Sequence, residues 1–145
     1  MDNETIGRLV VCALEMVPRA YAPYSRFQVG AAVLAESGKI YGGANVENAS
    51  YPAGVCAERN AIAHAVASGE RRLAAIAICG GKDGAITGYC APCGICRQTM
   101  REFYDPEEFR VIVARSTSDY KVYSLDQLLP ESFGPEALCC GPAGS

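Results

Sequence analysis

Apolar residues recur at helical spacing from about Thr5 to Val17, at Ile6, Leu9, Val10, Ala13, Leu14 and Val17, and Pro18 ends the run. The pattern predicts a packing helix. After a turn-rich link from Tyr21 to Ser25, the period collapses into a nearly continuous apolar run from Phe27 to Ala35, which predicts a strand buried on both faces. Ser37-Gly38 supplies a hairpin turn into a second strand, Lys39 to Ala44. Tyr51 to Gly54 is a loop, and the alanine-rich stretch from Cys56 to Ser68 predicts a helix closed by Gly69. Leu73 to Cys79 predicts a third strand, Gly80 to Gly88 a loop, and Cys93 to Phe103 another helix. Strands at Phe109 to Ala114 and Tyr120 to Ser124, then a helical turn from Leu125 to Leu129, complete the set.

Strands that alternate with helices in this order imply an α/β fold, with a mixed five-stranded sheet and helices on its faces. Ligand sites in such sheets lie beyond strand carboxyl ends, which draws attention to Asn45 and Glu47. At 145 residues, half of them hydrophobic, the chain is expected to form one domain over residues 1–138. The Gly/Pro-rich stretch 139–145 is expected to be a flexible tail. A net charge of −3 argues against a polyanionic partner, so no nucleic acid is expected. The first nineteen residues lack the charged-then-apolar order of a signal peptide, and no apolar run is long enough to span a bilayer. A cytoplasmic location with no membrane partner is therefore expected.

Composition changes the picture most at cysteine. Eight cysteines without a secretory signal point to metal ligands and free thiols rather than to a disulfide framework. Cys12 and Cys79 lie in apolar stretches as small core residues, and Cys139 and Cys140 are expected to be idle surface thiols. Cys56 is followed two residues later by Glu58, whereas Cys93 and Cys96 stand at i and i+3 where a helix begins, a spacing that lets two sulfurs share one ion. Three thiolates leave one position of a zinc tetrahedron for water, with Glu58 beside it as general base. Three thiolates on a dication also leave excess negative charge, which Arg59 and two helix N-termini can offset. Cys90 belongs to a second Cys-x-x-Cys with Cys93, but Pro92 suits the helix start and favours Cys93 and Cys96 instead. His64 is eight residues past Cys56, about 12 Å along a helix, too far to share the ion.

Cys56-Ala57-Glu58 followed by Pro92-Cys93-Gly94-Ile95-Cys96 resembles the signature of zinc-dependent nucleoside and nucleobase deaminases. The segments Ala22 to Gly30, Asn45 to Pro52 and Leu128 to Phe133 narrow the resemblance to the small homotetrameric cytidine deaminases, over about Ala13 to Leu138. That resemblance implies a three-layer α/β/α fold, one zinc ion per chain on Cys56, Cys93 and Cys96, and hydrolysis of the C4 amine of cytidine and 2'-deoxycytidine in pyrimidine salvage. Glu58 would act first as base and then as acid, and Arg59 would hydrogen-bond the zinc thiolates. Asn45 and Glu47 would hold the ribose, Phe27 would line the base pocket, and Phe133 would cap it, partly across a subunit interface. The backbone N–H of Ala57 and C=O of Ala91 are candidates for the C4 oxygen and the amine. Ala91 departs from the serine often found there, a change to which a main-chain role is indifferent. A redox or structural zinc module would need a fourth ligand such as Cys90; a polynucleotide deaminase usually has histidine as first ligand and wants a basic surface; an aminoacyl-nucleoside deaminase also shares three cysteines, but the Asn45 to Pro52 segment resembles the ribonucleoside enzymes.

Overall fold

Five strands pair into one mixed sheet in the computed structural model of the protein, which describes residues 1–138. They are β1 (Phe27–Ala35), β2 (Ile40–Ala44), β3 (Leu73–Lys82), β4 (Arg110–Ser116) and β5 (Asp119–Ser124), in the spatial order β2-β1-β3-β4-β5. β1 is antiparallel to both neighbours, β3 and β4 are parallel, and β5 returns antiparallel to β4. The β1–β2 hairpin closes through Gly38 in the left-handed region (φ 89°). The parallel pair requires a crossover, which α3 (Gly94–Phe103) supplies.

Alternation along the strands divides the interior into two layers. On one face Ala32, Ala75, Ala77, Cys79, Ile112 and Ala114 receive α1 (Asn3–Met16) through Ile6, Leu9, Val10 and Ala13. The Asp2 side chain caps α1 by accepting from the Thr5 N–H at 2.8 Å. On the opposite face Val29, Val33, Ile76, Ile78, Val111 and Val113 pack against α2 (Ala57–Ala67) and α3. This makes three layers, helix on sheet on helices. A short α4 (Leu125–Leu128), closed by a capping box between Ser124 and Gln127, follows β5.

Three boundaries near the cysteines differ from those the pattern predicts. Cys56 and Cys93 precede α2 and α3 as N-caps with extended backbone (ψ 155° and 168°) instead of opening the first turn. Neither sulfur caps its own helix, so each is free to face the other. β3 continues through Gly80 and Gly81 to Lys82, where a loop was expected. These glycines pair with Val29 and Gln28 of β1, and a Cβ on Gly81 would lie 1.8 Å from the Ala85 carbonyl oxygen. They mark close backbone approach, not a chain break. The expectations for Cys139, Cys140 and the tail 139–145 fall outside the described residues. Among the described residues no helix is long and apolar enough to cross a membrane.

Candidate active site

The caps of α2 and α3 meet. Cys56 Sγ lies 3.8 Å from Cys93 Sγ, Cys93 Sγ lies 3.5 Å from Cys96 Sγ, and all three sulfurs fall within 4.8 Å of one another. With zinc–sulfur bonds of about 2.3 Å, a tetrahedral centre spaces its thiolates about 3.8 Å apart, so the cluster fits that ion. The chemistry of the donors agrees. Cys56 is drawn down to about 5, first by a hydrogen bond from Cys96 and then, against the cost of burial, by Cys93 and Arg59. Cys96, the donor, is pushed well above the ordinary thiol range by that same bond and by burial. Three adjacent sulfurs cannot all ionise without a cation among them.

Glu58, in the first turn of α2, is 5% exposed and is the only buried charged residue among the described residues. Burial raises its pKa, with the Cys56 charge adding and its own backbone N–H opposing. Arg59 donates from Nη2 to the Gly54 carbonyl at 3.1 Å, while its buried Nε has no hydrogen-bond partner. Burial alone would lower its pKa, but the hydrogen bond and charge of Cys56, joined by Cys96, raise it. An unpaired guanidinium donor beside thiolates is the positive charge this donor set calls for.

Asn45 and Glu47 reach the same region because Val46 is held between two strand-like segments. Val46 bridges Val55, the residue before Cys56, and also Tyr21, whose C=O accepts the Glu47 N–H at 2.8 Å. A cleft of about 460 Å³ results, lined among others by Asn45, Glu47, Tyr24, Ser25, Tyr51 and Cys56. Its size suits a small polar ligand. Much of the side-chain bonding of the two polar residues is internal. Asn45 donates to the Phe27 carbonyl at 2.8 Å and accepts from the Val29 N–H at 2.9 Å, continuing the β1 ladder with its amide. Glu47 Oε1 accepts from the N–H groups of Tyr24 (3.0 Å) and Ser25 (3.1 Å), and Oε2 accepts from Ser25 Oγ at 2.6 Å.

The remaining candidates are spread around this centre. Ala57 is fully buried at the start of α2, and Ala91 is exposed in the loop before Pro92. Phe27 and Phe133 stand 41% and 61% exposed and are not among the cleft-lining residues. Cys90 is half-buried and outside the three-sulfur cluster, and its thiol is pushed up to about 11, chiefly by burial. Cys79 is a core residue, pushed to about 12 by burial. His64 stacks edge-on against Tyr41 with centroids 5.2 Å apart and meets the Gly42 carbonyl at 3.2 Å. Sequence reasoning missed Arg97, which donates to the carbonyls of Pro92 (2.8 Å) and Leu128 (2.7 Å) and so fixes the approach to Cys93. It also assigned no role to Ser25, although that residue lies within the quoted segment Ala22 to Gly30.

Residues 3–112 match the model of the "Cytidine and deoxycytidylate deaminase zinc-binding region". The chain belongs to the cytidine deaminase family. Its members are hydrolases, and two of this chain's relatives align with it along nearly their whole length. The cytidine deaminase of Halalkalibacterium halodurans is 40% identical over 138 residues, 95% of this chain and 98% of that protein. That of Sporosarcina psychrophila is 38% identical over 133 residues, 92% of this chain and 94% of its own. A crystal structure of cytidine deaminase from Burkholderia pseudomallei superposes with a TM-score of 0.78 at 44% identity, covering 87% of this chain and 97% of that one. The sheet with its two helical layers is thus the cytidine deaminase fold.

Proposed function

We propose that the protein hydrolyses cytidine and 2'-deoxycytidine to uridine and 2'-deoxyuridine with release of ammonia, a pyrimidine salvage step carried out by a cytoplasmic homotetramer with one zinc ion per chain. The observation that carries the reading is the cluster of three sulfurs at the starts of α2 and α3, with Glu58 buried two residues past Cys56 and a cleft lined by Cys56 beside it. Cys56, Cys93 and Cys96 would hold the zinc, which when bound supplies the Lewis acidity that lets water ionise near neutral pH.

Glu58 takes one proton from the attacking water and passes it to ring N3, then takes the proton of the new C4 hydroxyl and passes it to the departing amine, so that ammonia leaves, C4 becomes a carbonyl and the carboxylate is restored. Arg59 balances the excess charge of three thiolates through a donor that has no other partner. Glu47 and Asn45 accept and donate to the ribose with the lone pairs and hydrogen left over from their internal bonds. Phe27 packs on the base, with the Ala57 N–H and the Ala91 C=O addressing the reacting edge. Phe133, exposed on this chain, is free to reach a neighbouring subunit, which supports the tetramer.

The test is turnover of cytidine, 2'-deoxycytidine, cytosine and adenosine by wild type and Glu58→Gln, with zinc quantified in both. The reading expects conversion of the two cytosine nucleosides, and a kcat lower by about 10²- to 10⁴-fold in a variant that keeps its zinc. A zinc-loaded wild type that converts none of the four overturns it.

A further inference from the structure

We propose that Ser25 is a positioning residue for the nucleoside: its hydroxyl fixes the Glu47 carboxylate so that a single acceptor site is left for one sugar hydroxyl. The inference rests on the cytidine reading above and concerns how that same site achieves specificity.

An ionised carboxylate offers about four lone-pair sites. Three are taken here: Oε1 accepts the N–H groups of Tyr24 and Ser25, and Oε2 accepts Ser25 Oγ at 2.6 Å. The remaining site is on Oε2, the oxygen that Ser25 orients. The hydroxyl itself has no freedom to turn elsewhere, because the Phe27 N–H donates to its oxygen at 3.0 Å and its one proton goes to Glu47. Through the Phe27 peptide the chain of bonds continues, since the Phe27 carbonyl accepts from Asn45 Nδ2 at 2.8 Å. Phe27 and the pair Asn45 and Glu47, which lie in separate segments of the chain, are therefore joined by Ser25 into one network beside the cleft.

The backbone is shaped to hold this arrangement. Arg26 takes the left-handed conformation (φ 58°), held by its N–H to the Ala22 carbonyl at 2.9 Å and by the Asp83 N–H to its own carbonyl at 2.7 Å. A salt bridge of 3.1 Å between the Arg26 and Asp83 side chains adds to the restraint. Side chains other than glycine adopt this region at a cost. The turn aims two successive N–H groups and the Ser25 hydroxyl at one carboxylate, a concavity of the kind that receives anions. Glu47 fills it permanently, and a ligand meets only the outward lone pair.

The test compares wild type, Ser25→Ala and Ser25→Thr on cytidine and on 2',3'-dideoxycytidine, which lacks both sugar hydroxyls, with zinc content and melting temperature as controls. Loss of one charge-assisted bond that orients a ligand-binding group is expected to raise the cytidine KM of Ser25→Ala about tenfold. Its kcat, and its kcat/KM on the dideoxynucleoside, should stay within about twofold of wild type, so that discrimination between the two substrates falls. Ser25→Thr keeps the hydroxyl and should restore discrimination. An equal loss on both substrates, or an unchanged cytidine KM, would overturn the inference while leaving the cytidine reading intact. A wild type without cytidine turnover would overturn both together.

Discussion

Adding one methyl group at Gly43 tests how the three-thiol cluster depends on the sheet beneath it. Gly43 pairs with Ala31 in the β1–β2 ladder and faces the first turns of α2. A Cβ there would lie 2.3 Å from Ala61 N, 2.6 Å from the Ala57 carbonyl oxygen and 2.8 Å from Ala61 Cα. All three are helix backbone, which cannot rotate away. Bringing the 2.3 Å approach out to ordinary contact needs a helix retreat of about 1 Å, and Cys56 rides on the start of that helix. Metal–ligand distances tolerate only about ±0.2 Å. Overpacking costs about 1–3 kcal/mol, and rigid backbone as the obstacle puts Gly43→Ala at the upper end. For a chain of this size about 3 kcal/mol is roughly 6–12 °C in melting temperature. Zinc affinity should fall by at least about tenfold. Gly42→Ala is the control, since its Cβ would meet only the flexible Met16 side chain, at 2.9 Å, and Cys12 Sγ, and should cost under about 1 kcal/mol. Calorimetry and metal analysis of the two variants decide the matter. If Gly43→Ala melts within about 2 °C of wild type and binds zinc as tightly, the close contact does not govern the position of Cys56.

Two further outcomes follow from the site. Cys93→Ala should lose zinc and turnover, whereas Cys90→Ala, outside the sulfur cluster, should keep both; metal analysis showing the reverse would move the ligand set to Cys90. The second concerns pH. Glu47 is held below its ordinary 4.5, first by the Ser25 hydroxyl and then by the Ser25 N–H. A depressed carboxyl contributes above the unfolded value and loses that contribution as pH falls through the folded one. The cytidine KM should therefore show no inflection from Glu47 above pH 4.5, and Ser25→Ala should move the acid rise upward toward that value. Superimposable KM profiles for the two proteins would refute the attribution.

The sequence pattern reported burial and local geometry well because those are what it encodes. The run Phe27 to Ala35 is β1 to the residue, and the cysteine spacing located the starts of α2 and α3 to within one position. Part of the three-thiol cluster was legible for a related reason: thiols at i and i+3, with a proline before them, constrain one another locally. Bonds between distant residues left no such trace. Nothing in the order of residues says that the Asn45 amide continues the ladder of β1, or that Glu47 is bonded 22 and 23 residues back to Ser25 and Tyr24. Nor does it show that Arg101, paired with Glu136 and bonded to Ser132 Oγ at 2.8 Å, fits against Gly134, where a Cβ would come within 2.4 Å of the guanidinium. Gln98 completes that grip by donating to the Phe133 carbonyl at 2.9 Å, so the segment bearing Phe133 is attached to the helix bearing two of the thiols.

The two helix starts belong to different parts of the sheet, and that division explains why the three-thiol cluster sits where it does. α2 is seated on β2 through the Gly43 contact and through Asn60, which donates to the Ala44 carbonyl at 2.8 Å. α3 belongs to the β3–β4 crossover and is tied to α4 by Arg97. Between them Cys96 and Met100 of α3 share the buried layer with Ala57 and Ala61 of α2, small residues that let the helices approach but contribute little apolar area. An ion gripped by Cys56 from one side and by Cys93 and Cys96 from the other would add a connection where hydrophobic packing is thin. Because the unfolded chain holds no such preformed triad, the energy of binding an ion at the thiols would become stability of the α2–α3 contact. The carboxylate of Glu58 is buried in that same seam. The group that would move protons is thus kept in place by the joint that metal binding tightens.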